Sequence, residues 1–183
     1  MKKEHGFTLI ELLVVMSVAL IMMTLGAAAM RHYWFVRSVA SASQQVTAQL
    51  RQLQSQADSV SHPVVYGAWF LPNQPNSDEW GTLVYDPTIT NPADRCELGS
   101  SPKVLPTDVR VVDAAFVDTT TLTSACKNEM AGAGVTNASA AKTVFFYARG
   151  NSTGGEVTLA RDGVVKERTI EVAALTGRVV EQE

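Results

Sequence analysis

Few side chains in this 183-residue sequence are equipped for chemistry, and their spacing limits what each set can do. The three histidines, His5, His32 and His62, lie far apart, and none accompanies a nucleophile motif. No G-x-S-x-G elbow and no H-E-x-x-H pair occurs, so neither a serine hydrolase nor a zinc protease is spelled out. Asp78, Glu79, Asp86 and Asp94 form a loose acidic group without EF-hand spacing, and carboxylates in a polar loop are ordinarily just solvated. The reading is of a protein that is not an enzyme and needs no metal or other cofactor. Cys96 and Cys126 belong to no C-x-x-C pair. In an exported domain they would close a loop of about 30 residues as a disulfide, contributing about 3 kcal/mol. In the cytosol they would stay two buried thiols. The last candidate is Glu11, a lone carboxylate inside GFTLIELLVVMSVAL, residues 6–20. Near the centre of an inserted helix such a residue costs about 3 kcal/mol, so it needs a reason.

The elements around these residues give the context. Leu12 to Met30 carry no charge, and as a helix they span about 28 Å, close to one hydrocarbon core. An ordinary secretory signal would take Lys2 and Lys3 as its basic end and finish at Ala27-Ala28-Ala29. Glu11 argues against that, and so does the absence of any stop after the apolar run. Val39, Val46, Leu53 and Val60 recur every seven residues, with Val36, Ser43, Leu50 and Ala57 as a second seam. Glutamines fill the positions between, and neither Pro nor Gly occurs from Ala27 to Ser61. The pattern predicts one helix over residues 7–61, apolar all round at first and then amphipathic, with its stripe against the protein's own sheet. His62-Pro63 ends it. Charge does not fix the orientation, because Lys2 and Lys3 precede the span while Arg31, His32 and Arg37 follow it.

Gly6-Phe7-Thr8-Leu9-Ile10-Glu11-Leu12-Leu13-Val14-Val15 resembles the class III signal of type IV pilins and type II secretion pseudopilins. The resemblance implies cleavage after Gly6 by a prepilin peptidase and N-methylation of the new terminus, Phe7. It implies an apolar helix that first anchors the subunit in the inner membrane, with the head in the periplasm or outside the cell. The helix later packs in a filament core. It also supplies a partner for Glu11, the α-amine that cleavage creates on Phe7, so that the pair sets register between subunits. Opposite charges attract more strongly in a low-dielectric core, where a lone charge is heavily penalised.

After Pro63 the composition turns to short β-rich runs: 64–71, 82–85, 109–112, 143–147, 157–160 and 166–172. Asp162-Gly163 reads as a hairpin turn and Gly154-Gly155 as a tight turn before it. Residues 72–106, with six of the seven prolines, and residues 118–142 read as surface excursions that a disulfide would pin together. The expected class is α+β, a long helix packed on an antiparallel β-sheet head. Expected boundaries are a leader at 1–6, a transmembrane and filament-core helix at 7–30, its amphipathic continuation at 31–62 and a head at 63–183. The C-terminal runs Val144 to Gly150, Val157 to Leu159, Arg168 to Val172 and Thr176 to Val179 resemble the GspH/FimT-like minor pilins and pseudopilins. The implied function is a structural subunit that primes or caps a type IV pilus or type II secretion pseudopilus, with other pilins as partners. The alternative is a DNA-binding minor pilin active in natural transformation. Such members carry a basic Gly-Arg-x-Arg stretch, whereas here Gly177-Arg178-Val179-Val180 leads into Glu181-Gln182-Glu183, and net charge is −3. Arg149, Arg161, Lys166, Arg168 and Arg178 would have to cluster to offset that. An acidic tail repels phosphate, so DNA is not the expected partner.

Overall fold

A computed structural model describes residues 8–60, 63–75, 77–99, 101–106, 108–117, 120–162 and 167–182. Helix α1 runs unbroken from Leu9 to Ser59, 51 residues and about 76 Å at 1.5 Å per residue. It ends where Val60 turns extended, three residues before Pro63. Nine strands follow: β1 (Val65–Phe70), β2 (Glu79–Tyr85), β3 (Cys96–Leu98), β4 (Lys103–Val104), β5 (Val109–Phe116), β6 (Lys142–Phe146), β7 (Gly155–Arg161), β8 (Arg168–Val172) and β9 (Val179–Gln182). A second helix, α2 (Thr120–Gly132), lies between β5 and β6.

All strand pairs are antiparallel, but they form two sheets where the sequence suggests one. The first has the order β3-β2-β1-β6, with β4 also on β2; the second is β5-β7-β8-β9. The heptad stripe explains how one helix serves both. Val39, Val46, Leu50, Leu53 and Ala57 are buried, together with Ala68, Phe70 and Trp80 of the first sheet and Val111, Leu159, Ile170 and Val179 of the second. Alternation along β1 sends Ala68 and Phe70 toward α1, while Val65 and Trp69 face the other way. That other face makes a second core with Leu83, Phe145 and Met130, so β1 is covered on both sides.

The cover is α2, where the sequence reading expects a loop. Among its described side chains the buried apolar ones are Cys126 and Met130, one turn apart, in a run of weak helix formers such as Thr, Ser and Asn. What stops the helix is better written in the sequence. Gly134 sits at φ +85°, with Gly134 N–H donating to Ala131 O (3.1 Å) and Val135 N–H to Met130 O (2.9 Å). This is a Schellman stop, and Val135 and Met130 make its apolar contact within one core. A disulfide joins Cys96 on β3 to Cys126 on α2, with Cα atoms 5.1 Å apart. The excursions on either side of β5 are thus fastened, but as a strand and a helix.

The expected strands fall close to their places, β5 running on to Phe116 and β8 starting at Arg168, whereas β3 and β4 arise inside the expected excursion 72–106; Lys166 and Gly163 lie outside the described residues. Gly155, at φ +130°, opens β7 where a Cβ would stand 2.2 Å from Ala115 O, so only glycine fits there. Two of the outer strands, β5 and β6, bond to loops along their free edges. Val111 on β5 bonds Asn73 and Ser77 of the β1–β2 loop, and Phe145 on β6 bonds Thr153.

Candidate functional site

The described chain begins at Thr8, which caps α1 with extended backbone (φ −80°, ψ 148°). Glu11 N–H donates to Thr8 Oγ1 (3.3 Å) and to Thr8 O (3.1 Å). Thr8-x-x-Glu11 is the capping-box spacing, which the sequence reading passed over although it is legible there. A carboxylate in the first turn also faces the positive end of the helix dipole. Glu11 is exposed in the single chain, and Gly6 and Phe7 lie outside the described residues.

From Leu9 to Leu25 every side chain is exposed, with Leu9, Ile10, Met23 and Leu25 all above 65%. An apolar shaft so bare has its partners outside this chain. It is long and apolar enough to cross a membrane. The head takes hold of the helix beyond it. Arg161 stacks on the Phe35 ring at 4.0 Å, donates to Ser38 Oγ at 2.8 Å and pairs with Asp108 at 2.9 Å. Farther along, Lys103 Nζ reaches Gln49 Oε1 (2.7 Å), Arg51 donates to Val179 O (3.2 Å) and Gln54 to Thr176 O (3.1 Å). Sequence patterning foretold the apolar stripe but not these polar clasps, which join residues more than fifty positions apart.

The acidic candidates do not converge. Asp86 accepts from Thr88, Asp94 from Asn91, and among the described residues no three metal-ligating side chains gather. Two of the five basic candidates are held by acids of the head, and Lys166 lies outside the described residues. Arg161 is held by Asp108, and Arg168 pairs with Glu181 at 3.2 Å, each with little exposed side chain. Val180, where a second arginine would extend Gly177-Arg178, is a half-buried residue of β9. His32 stands exposed on the neck with no nucleophile motif beside it, and His5 and His62 lie outside the described residues.

Comparison with protein families matches residues 42–176 to the type II transport protein GspH. The chain belongs to the GspH family. Residues 1–27 match the prokaryotic N-terminal methylation motif. This GspH-family chain is therefore a structural subunit of pilin or pseudopilin type and not an enzyme. Among solved structures it is similar to the minor pseudopilin EpsH from the type 2 secretion system of Vibrio cholerae. That similarity is at 8% identity over 79% of this chain and 96% of that one, with a TM-score of 0.49. No curated protein sequence matches it.

Proposed function

We propose that this chain is a minor pseudopilin or pilin whose α1 shaft is first its membrane anchor and then its share of a filament core. The observation that carries the reading is the division of one continuous helix. Its first half is apolar and bare on every side, and its second half is clasped by a folded head. A helix bare of partners in its own chain finds them in lipid or in like helices. In this reading residues 1–6 are a leader cut after Gly6 by a prepilin peptidase. Residues 7–30 form the inner-membrane and filament-core helix, 31–62 its continuation and 63–183 a head on the far side of the membrane. Phe7 becomes the methylated terminus, and Glu11 pairs with its amine within or between chains to set axial register. No proline interrupts α1, in keeping with a minor rather than a main filament subunit, one that primes or caps assembly.

Intact mass of the protein recovered from membranes tests the processing. The expected mature chain lacks residues 1–6 and carries one added methyl group. A product beginning near Met30 would mean that the apolar segment is an ordinary signal, and the proposal would fail.

A further inference from the structure

We propose that residues 31–37 form a collar that binds the headgroups of anionic phospholipids on the side of the membrane opposite Glu11. The inference rests on the anchoring role proposed above and adds a ligand and a site. Its first support is depth. Arg31 follows directly on the uncharged run Leu12 to Met30, and Arg31 to Arg37 cover about 9 Å of helix. A headgroup layer is about 5–8 Å thick on each side of the hydrocarbon. The second is side-chain type. Tyr33 (55% exposed) and Trp34 (61% exposed) stand on the surface, edge to face at 6.4 Å. Tyr and Trp favour this depth, where the ring meets lipid and the polar tip meets water.

The third support is charge. Between Glu11 and Asp58 the helix has no carboxylate, and the nearby head acid Asp108 is occupied by Arg161. Among the described residues neither Arg31 nor Arg37 forms an ion pair. Arg37 instead lies over the Tyr33 ring at 5.6 Å, its Nε donating to the Tyr33 hydroxyl at 3.0 Å. That contact holds the guanidinium on the collar and leaves its other N–H groups for a phosphate diester. A cleft of about 550 Å³ opens there between Tyr33, Trp34, Arg37 and Ser41 on the helix and Pro106 on the head. The occupant that fits is a phosphate headgroup with net negative charge, drawn from the bilayer that holds the shaft.

Trp34 makes the test direct, because Trp69 and Trp80 have no exposed surface. The full chain is reconstituted in phosphatidylcholine vesicles containing a tenth of brominated phosphatidylglycerol, or a tenth of brominated phosphatidylcholine. Quenching of Trp34 should report the anionic lipid enriched about fivefold around the collar, the scale of one arginine at a charged surface. The enrichment should fall with added salt and vanish in the R31Q/R37Q double variant. A Trp34→Phe chain supplies the background from the two buried indoles. Equal quenching by both lipids in an inserted chain overturns the collar and leaves the anchor intact, as does enrichment that survives in R31Q/R37Q. A chain that alkaline carbonate strips from the vesicles refutes the anchor itself, and the collar falls with it.

Discussion

Glu11 has two separable uses, and a single substitution distinguishes them. As the third helical residue after the Thr8 cap, it has capping-box spacing, gives its backbone N–H to the Thr8 hydroxyl and faces the positive end of the helix dipole. As the proposed partner of the Phe7 amine, it acts through charge. Glutamine keeps capping-box geometry and loses the charge, so E11Q should leave the chain folded and membrane-bound while filament incorporation drops at least tenfold. Recovery of the variant with sheared filaments, relative to its membrane pool, measures this. Normal incorporation of E11Q would remove the register role and leave only the cap. Thr8→Val is the converse variant, expected to cost about 1 kcal/mol in the first turn while retaining the charge. The Thr-x-x-Glu spacing was readable without coordinates, because capping is local and its partners lie three residues apart. The contact of Arg161 with Phe35 was not, since two residues over a hundred positions apart meet only through the fold.

Legibility at the scale of elements depends on how many residues repeat the same signal. α1 was legible because two seams recur through four heptads and nothing breaks them. All of Val39, Val46, Leu53, Ser43, Leu50 and Ala57 are buried, as the stripe required. β1 and β6 were legible as apolar runs because both of their faces are covered. α2 was not, because its run is rich in weak helix formers such as Thr, Ser and Asn, and a covalent bond does part of the work of packing. The division into two sheets was also hidden, since strand pattern gives faces but not partners. The bridge closes a 30-residue separation and should contribute about 3 kcal/mol. The C96S/C126S double variant should therefore melt about 6–12 °C lower, which circular dichroism can follow. Near-ultraviolet signal from Trp69, which shares the α2 core, should weaken before secondary structure is lost. An unchanged melting point would mean that packing of Met130 and Val135 alone holds α2 on its sheet.

Taken whole, the molecule concentrates apolar surface at one end and pairs three of its head arginines with its own carboxylates. Arg161 and Arg168 have little exposed side chain and are paired with Asp108 and Glu181, so neither guanidinium can neutralise a phosphate without giving up its own acid. Arg110 is likewise paired with Asp162, and β9 carries Glu181 beside its last residue, Gln182. Removing Lys2, Lys3 and Glu4 with the leader makes the net charge one unit more negative. The unpaired arginines at the neck, Arg31 and Arg37, lie at headgroup depth in the proposed anchor, where a duplex cannot approach. DNA affinity grows with the number of phosphates neutralised, and the same number sets how steeply affinity falls with salt. The detergent-solubilised full chain should thus retain duplex DNA weakly at 50 mM salt and lose it by 200 mM, with a slope of about two phosphates or fewer. Gel shifts at those two concentrations measure it. A slope of six or more, surviving in R31Q/R37Q, would show a basic surface on the head that pairing has not neutralised. In that case nucleic acid would join other pilins as a partner of this subunit.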